Sequence, residues 1–266
     1  MRRDPLRLAG ERAEGGEPAA FLDLPSRTRK PRAEGLTCVL DRGLSLAEVD
    51  GLVEVAGHLV DLVKLGWGTA VVSQNLDAKL ACYRRHGIPV VLGGTLTEVS
   101  LTQRRTGALV AWLGRLGVEH VEVSDGSIAL PHAEKLALIR RLAVEFTVLS
   151  EVGAKDDSRG MAPSEWVAQI ERELEAGAWK VIAEARESGT AGIYGADGSA
   201  NVELIEAIVG AVAPERLVFE APKKEQQAWM VRRLGPNVNL SNIAPNDVVS
   251  VETLRLGLRF DTMPRP

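Results

Sequence analysis

The chain has 266 residues, of which 45% are hydrophobic and 26% charged, and its formal net charge is −4. This composition is ordinary for a globular protein, and the length suits either two small domains or one large barrel of about 250 residues. The short basic tract at 27–32 is too small to favour nucleic acid as a partner, which usually needs a concentrated basic face. No window approaches the ~18 apolar residues of a membrane span, which argues against a membrane protein.

The N-terminal segment, the two cysteines and the four histidines give further expectations. Residues 1–19 are rich in Arg, Glu, Gly and Ala and lack an apolar signal segment, so we expect a flexible tail followed by one barrel domain over 20–266. Cys38 and Cys82 fit no metal spacing, and reduced thiols of this kind are typical of a cytoplasmic protein. The four histidines show no ligand spacing and are interpreted as structural.

Short apolar runs alternate with segments of helical periodicity along the chain. The first run, at 37–40, ends in Asp41, and Ser45 then opens a helix with Glu48 in the capping-box position. The other predicted strands lie at 62–65, 89–92, 120–123, 146–149, 180–183, 217–219 and 238–240. The other predicted helices lie at 75–86, 99–116, from Pro131 onward, at 163–176, 201–212 and 224–234, and from Asn246 to about 258.

Eight strand–helix units in succession predict a parallel sheet with right-handed crossovers. No change in composition along the chain marks a boundary between domains. The eight units therefore favour one α/β domain, a single (β/α)8 TIM barrel. An open, doubly wound sheet is the alternative, although no G-x-G-x-x-G motif follows the first strand.

Charged residues follow most of the predicted strands, and in a parallel barrel these strand ends form one mouth. Carboxylates follow strands four to seven in succession: Asp125, Glu151, Glu184, Glu220. Converging carboxylates repel one another unless protons or cations intervene, and Mg²⁺ prefers oxygen ligands of this kind. The pattern therefore predicts a Mg²⁺ site, and salt bridges to Lys64, Lys155 and Arg186 are the alternative.

Several cations share the predicted mouth: Lys64, Lys155, Arg186, Lys223. Arginine can grip a phosphate or carboxylate with two hydrogen bonds, and lysine offers a point charge or a proton. Together they indicate a small, multiply anionic substrate. Asn237, Asn239 and Asn242 surround the last strand and precede a helix start, where barrels often bind phosphate. A polar loop is the other explanation for these asparagines.

Seven motifs in order resemble the phosphosulfolactate synthase family, and the similarity runs from about residue 30 to the last helix. The motifs are Lys64-Leu-Gly-Trp-Gly-Thr69, Gly93-Gly-Thr-Leu-Thr-Glu98, Glu122-Val-Ser-Asp-Gly126, Glu151-Val-Gly153, Glu184-Ala-Arg-Glu-Ser-Gly189, Phe219-Glu-Ala-Pro222 and Gly235-Pro-Asn-Val-Asn-Leu240. Each motif is weak alone, and the ordered set is specific.

The resemblance implies a barrel enzyme that adds sulfite to phosphoenolpyruvate, with Mg²⁺, to give (2R)-2-phospho-3-sulfolactate, a step toward coenzyme M in archaea. Such an enzyme is a carbon–sulfur lyase working in the synthetic direction. The resemblance further implies that Lys155 protonates the carbon bearing the phosphate and that Glu184 and Arg186 are catalytic. Arg186 and Lys64 would hold phosphate or sulfite, and the converging carboxylates would hold Mg²⁺.

Two departures from the family pattern bear on the substrate. The family usually has glycine where this chain has Ser241, so Ser241 either crowds a bound phosphate or contacts it through its hydroxyl group. The segment 154–157 also differs from the paired-lysine form of the archaeal enzymes. Because the family includes plant heat-stress-associated proteins, an enzyme with another nucleophile and a non-catalytic stress-associated protein remain alternatives. We expect a homo-oligomer, since barrels often self-associate through their outer helices.

Overall fold

The computed structural model describes residues 21–153 and 160–264. These residues form a closed barrel in which each parallel strand pairs with the next and the eighth pairs with the first. The strands are β1 (Thr37–Asp41), β2 (Leu62–Leu65), β3 (Val90–Gly93), β4 (His120–Val123), β5 (Thr147–Val152), β6 (Lys180–Ala183), β7 (Leu217–Glu220) and β8 (Leu240–Ile243). The predicted (β/α)8 TIM barrel is confirmed. The predicted tail at 1–19 and the predicted catalytic Lys155 lie outside the described residues.

Helices connect the strands and cover the outside of the barrel. They are α1 (Leu46–Ala56), α2 (Thr69–Val72), α3 (Leu76–Arg85), α4 (Thr95–Thr102), α5 (Thr106–Leu116), α6 (His132–Leu142), α7 (Pro163–Glu175), α8 (Val202–Ala211), α9 (Lys224–Leu234) and α10 (Val248–Arg255). Short 3-10 turns precede β7 at Pro214–Arg216 and α10 at Pro245–Asp247. No helix within the described ranges is long and apolar enough to cross a membrane.

Three local features differ from the sequence-based expectations. The long helix predicted at 99–116 is two helices, α4 and α5, because Arg104 between them has a left-handed backbone with φ of 55°. The short α2 was not predicted, since four residues carry little periodicity. β8 spans Leu240–Ile243 rather than 238–240, because its middle residues Ser241 and Asn242 are polar and give no apolar signal.

Alternate side chains of the strands point into the barrel, as the two-residue period of a strand requires. Toward the N-terminal strand ends, the barrel interior is filled by one apolar cluster: Leu36, Cys38, Leu62, Val91, Leu149, Ile182, Val218. The opposite faces of the strands, for example Val63 and Val181, pack in the larger core beneath the helices. Two residues beyond each interior apolar side chain, toward the C-terminal strand ends, the interior positions become largely charged, as at Lys64 and Glu151.

A buried arginine connects the segments that lead into β8 and β1. Arg255 of α10 is 1% exposed. Its Nη1 donates to the carbonyl oxygens of Pro236 and Val238, each at 2.7 Å, and its Nη2 donates to the carbonyl oxygen of Leu36 at 3.0 Å. One side chain therefore joins the chain entering β8 to the chain entering β1, where the barrel closes.

We predict that Arg255→Met lowers the free energy of unfolding by about 3 kcal/mol, because it leaves buried carbonyl groups without donors. Thermal and denaturant unfolding would measure the loss. Arg233→Met is the matched control, since Arg233 is paired with Glu206 at the surface and its side chain is 54% exposed. Equal stability of the two variants would contradict the role of Arg255.

Candidate active site

Four glutamates point into the C-terminal mouth of the barrel from consecutive strand ends: Glu122, Glu151, Glu184, Glu220. Each is at most 3% exposed. One carboxylate oxygen from each of Glu151, Glu184 and Glu220 lies within 4.8 Å of the other two. Burial of this kind is unfavourable for ionised carboxylates unless cations, protons or hydrogen bonds compensate.

Lys64 of β2 supplies positive charge to this group. Its Nζ lies 2.8 Å from Glu122 Oε2 and 3.6 Å from both Glu151 Oε2 and Glu220 Oε1. Burial alone would lower the pKa of Lys64, but the carboxylates of Glu122, Glu151 and Glu220 outweigh it and hold this pKa well above its usual value. Lys64 is therefore a fixed positive charge at neutral pH.

Two of the carboxylates, those of Glu122 and Glu220, have a pKa above the ordinary value. Burial raises the pKa of Glu122 to about 7, with Lys64 opposing the rise and Glu151 adding to it. Burial also raises the pKa of Glu220 above its ordinary value, again against the opposing effect of Lys64. The cluster therefore retains protons near neutral pH when no further cation is bound.

Backbone amides fix two of the carboxylates. Glu184 Oε1 accepts a hydrogen bond from the amide of Arg186 at 2.6 Å, and Glu220 Oε2 accepts one from the amide of Ala185 at 2.9 Å. The turn after β6 thus orients carboxylates of β6 and β7 together. At the end of β3, Gly93 has φ of 140°, and a Cβ there would collide with the carbonyl oxygen of Glu122. Glycine at position 93 therefore lets the backbone of Glu122 pack close to β3.

A cavity of about 360 Å³ opens above the carboxylates. Its walls include Trp67, Arg186 and Asn242, which are three of the four non-glycine residues with positive φ in the described chain. Their φ values are 55°, 59° and 57°. Left-handed backbone is unfavourable for such residues and tends to cluster at functional sites. Its concentration around one cavity independently marks this mouth as the site.

Asn242 owes its position to a β-bulge. Between the pairs Thr37–Leu240 and Val39–Ile243, β8 contains one more residue than β1. Asn242 occupies this bulge and lines the cavity, and its buried Oδ1 has no hydrogen-bond partner among the described residues. Bulges beside active sites commonly redirect a side chain in this way.

The charge and ligand chemistry of this mouth suit a hard divalent cation. Glu151, Glu184 and Glu220 offer clustered carboxylate oxygens, and Asn242 offers an amide oxygen on the same wall. Mg²⁺ favours such oxygen ligands and leaves positions for water or substrate. The predicted alternative, compensation by salt bridges, also operates here, because Lys64 contacts three carboxylates.

Asp125, a predicted metal ligand, does not join the carboxylates of the mouth. It follows β4 and lines a separate cavity with His132 and Glu165. Glu122 takes the interior position on this strand, and sequence reasoning missed it as a site residue. The alternation in His120-Val-Glu-Val123, with valines outward, was the signal that could have found it.

Asp125 is instead held by Lys135, which reaches in from α6 and is fully buried. Lys135 Nζ donates to Asp125 Oδ1 at 2.8 Å and to the backbone carbonyl oxygen of Glu151 at 2.6 Å, and it pairs with Glu173 Oε1 at 2.8 Å. This lysine therefore fixes the backbone at the end of β5, from which the Glu151 side chain enters the mouth.

Two predicted substrate-binding residues lie at the opposite end of the barrel. Asn237 precedes β8, and its Oδ1 accepts hydrogen bonds from Arg27 and from the amide of Thr28. Asn239 Oδ1 accepts from the amide of Leu36 at 2.9 Å, and its Nδ2 donates to the carbonyl oxygen of Leu217 at 2.8 Å. The later start of β8 explains this correction, since it leaves both asparagines at the N-terminal strand ends.

The remaining predicted residues divide between the mouth and its surroundings. Lys64, Glu151, Glu184, Arg186, Glu220 and Asn242 line the cavity. Ser241 is buried on β8 and pairs in register with Glu220. Lys223 lies at the start of α9, where its amide donates to Gln226 Oε1, and it is not among the residues that line the cavity.

The fold and this mouth define a class of protein: a (β/α)8 barrel with buried carboxylates and a lysine at the C-terminal strand ends, where enzymes of this fold carry their active sites. Residues 25–261 match the family described as (2R)-phospho-3-sulfolactate synthase (ComA). The chain belongs to this family, as the seven motifs predicted.

Named relatives agree with this assignment. The phosphosulfolactate synthase of Bacillus subtilis (strain 168) is 40% identical over 244 residues, covering 91% of this chain and 97% of the relative. The phosphosulfolactate synthase of Methanothermobacter thermautotrophicus is 37% identical over 245 residues, covering 90% and 95%. The Arabidopsis thaliana protein HEAT-STRESS-ASSOCIATED 32 is 24% identical over 270 residues, covering 89% and 91%.

Solved structures resemble the chain at the level of the fold. A crystal structure of 3-hexulose-6-phosphate synthase has a TM-score of 0.54 at 16% identity, covering 83% of this chain and 98% of that one. The YdjI aldolase from Escherichia coli K12 has a TM-score of 0.53 at 13% identity, covering 79% and 75%. At these identities the likeness shows the shared barrel alone.

We predict that the chain without metal is more stable at pH 6 than at pH 8. The pKa of Glu122 is about 7 when folded against an ordinary value of 4.5. The folded state therefore holds this proton more tightly, and the resulting stabilisation is complete below pH 4.5 and is lost as the pH rises through about 7. Thermal unfolding in chelator at the two pH values would measure the difference.

Glu122→Gln should reduce this pH dependence, because glutamine has no proton to lose. Glu187→Gln is the control, since Glu187 also lines the cavity but is exposed. An unchanged pH dependence in Glu122→Gln would show that other groups cause it.

Proposed function

We propose that this chain is a Mg²⁺-dependent phosphosulfolactate synthase, a carbon–sulfur lyase that adds sulfite to phosphoenolpyruvate. The family and its relatives support the reaction class. The observation that carries the proposal is the clustering of three buried carboxylates beside Lys64 at the barrel mouth. Both substrates are anions, and such a mouth admits them only when a cation or protons compensate the carboxylates.

Glu151, Glu184 and Glu220 would hold Mg²⁺, and Asn242 Oδ1 stands on the same wall for a direct or water-mediated contact. When bound, Mg²⁺ would stabilise negative charge that develops on the carboxylate of phosphoenolpyruvate during attack. The amides of Arg186 and Ala185 hold Glu184 and Glu220 in place for this task. The cavity of about 360 Å³ has room for a small phosphorylated acid.

Lys64 and Arg186 would contact the substrate anions. Lys64 keeps its proton because the surrounding carboxylates hold its pKa well above the usual value, so it serves as a positive charge and not as a proton donor. Arg186 has an exposed side chain on the cavity wall, and its planar guanidinium suits a phosphate or sulfite. Ser241 is buried, pairs in register with Glu220 and is not among the residues that line the cavity.

The chemical step needs one new bond and one proton. The sulfur lone pair of sulfite forms a bond to the methylene carbon of phosphoenolpyruvate, and the electrons of the double bond move toward the carboxylate. A general acid then protonates the carbon that bears the phosphate. Lys155 is the proposed acid by resemblance. Glu122, which shares the mouth and has a pKa of about 7, is a second group able to carry a proton there.

Phosphorus NMR of the purified protein with phosphoenolpyruvate, sulfite and Mg²⁺ tests the proposal. We expect a new phosphoester signal that requires all three and disappears with chelator. Product formed with phosphoenolpyruvate and a different nucleophile, but not with sulfite, would favour the related enzyme. No conversion under conditions where an archaeal synthase works would favour the alternative of a non-catalytic stress-associated protein, since the plant relative is named for heat stress.

We predict that Glu184→Gln lowers kcat by about 100-fold or more, because it removes a buried charge that faces the reacting groups. Glu187→Gln, at an exposed position three residues along the same loop, should stay within a few-fold of the unmodified chain. Circular dichroism would verify folding of both variants. Unimpaired turnover in Glu184→Gln would remove this residue from the mechanism.

Two further expectations accompany this function. We propose a homo-oligomer, which light scattering would test, and a cytoplasmic location, which cell fractionation would test.

A further inference from the structure

A second group of ligand-type side chains lies on the outside of the barrel, between α1 and α3. It consists of Asp50 from α1, Cys82 from α3 and His86, the C-cap of α3. The C-terminal end of α3 leads into the start of β3, so this group lies toward the N-terminal strand ends and away from the carboxylate mouth.

The three side chains present a carboxylate, a thiol and an imidazole to one point. Cys82 Sγ lies 3.2 Å from Asp50 Oδ1, and His86 Nε2 lies 3.6 Å from the same oxygen. All three ligand atoms lie within 4.8 Å of one another. A tetrahedral Zn²⁺, with bonds of about 2.3 Å to sulfur and about 2.0–2.1 Å to nitrogen and oxygen, separates its ligand atoms by roughly 3.3–3.6 Å. Two of the three separations, 3.2 Å from Cys82 Sγ to Asp50 Oδ1 and 3.6 Å from His86 Nε2 to the same oxygen, are close to this spacing.

The convergence follows from a helical spacing that sequence reasoning missed when it gave Cys82 and His86 no ligand spacing. Cys82 and His86 are four residues apart, which places them on one face of α3, and Asp50 faces them from the adjacent helix. Cys82 is 4% exposed, whereas the side chains of Asp50 and His86 are 55% and 31% exposed. An ion could therefore enter from solvent and meet the thiol at the base of the site.

Arg85 now contacts this group. Its Nη2 donates to Asp50 Oδ1 at 3.1 Å and lies 3.4 Å from Cys82 Sγ. The side chain of Arg85 is 64% exposed, so it can swing into solvent without disturbing the core. The guanidinium places a positive charge next to the position that a metal ion would occupy.

We propose that Asp50, Cys82 and His86 form a binding site for a divalent transition-metal ion of the Zn²⁺ type. Thiolate and imidazole favour such ions over Mg²⁺, which the all-oxygen mouth suits. Binding forms a metal–sulfur bond, releases the thiol proton of Cys82 to solvent and displaces Arg85. Three protein ligands leave a fourth position for water, and the ion links α1 to α3.

Titration of the metal-free, full-length protein with Co²⁺ tests the site, because a thiolate ligand gives cobalt a near-ultraviolet charge-transfer band that carboxylates cannot give. We expect this band to saturate and to be displaced by Zn²⁺. Cys82→Ser should abolish it, whereas Cys38→Ala, which removes the cysteine of the barrel interior, should retain it. His86→Gln should weaken Co²⁺ binding by about tenfold or more, since loss of even an outer hydrogen-bond partner can cost that much.

Arg85→Gln provides a variant that does not disturb the core. Removal of its competing charge should tighten Co²⁺ binding several-fold, and unchanged or weaker binding would overturn the placement of the ion between Asp50 and Cys82. Glu184→Gln should leave the band intact, which separates this site from the mouth. Absence of the band in excess Co²⁺, or its survival in Cys82→Ser, would overturn the proposal.

Discussion

The mouth of this barrel depends on an electrostatic constraint: four buried glutamates converge there, and three of them contact the ammonium group of Lys64. The strand period of two imposes the arrangement, because each of these side chains stands one layer above the apolar interior. Burial and mutual repulsion make full ionisation unfavourable, so the glutamates retain protons or attract a cation. The same unfavourable charge that destabilises the empty mouth at high pH gives it affinity for Mg²⁺ in the proposed function.

Most of the fold follows from sequence periodicity, and the exceptions have local causes. Apolar strand cores such as Val181-Ile-Ala183 have no competing interpretation, so strand number and order could be predicted. The break at Arg104 and the bulge at Asn242 could not be predicted, because both depend on left-handed backbone that hydrophobic periodicity does not indicate. Asn242 shows the difficulty, since its conformation is set by pairing with β1, far away in the chain.

The site was predictable where a charged residue directly continues a buried strand, as at Glu151, Glu184 and Glu220. Asp125 and Glu122 show the limit of that reasoning. Glu122 lies between the two valines of the fourth strand and Asp125 lies two residues beyond that strand, and the direction of each side chain decides which enters the mouth. Asn237 and Asn239 failed for a related reason, because a shift of two residues along a strand moves a side chain by about 6.6 Å toward the other end.

Lys135 has a consequence for how this family can vary. It grips the end of β5 through the backbone carbonyl of Glu151, and every residue type offers that carbonyl. The placement of position 151 is therefore independent of the side chain it carries. Substitutions there can change the chemistry of the mouth while the supporting anchor from α6 stays intact. In this barrel the backbone position of residue 151 and the chemistry of its side chain are set by different groups. A substitution at position 151 can therefore change the chemistry of the mouth without a change in the backbone that carries it.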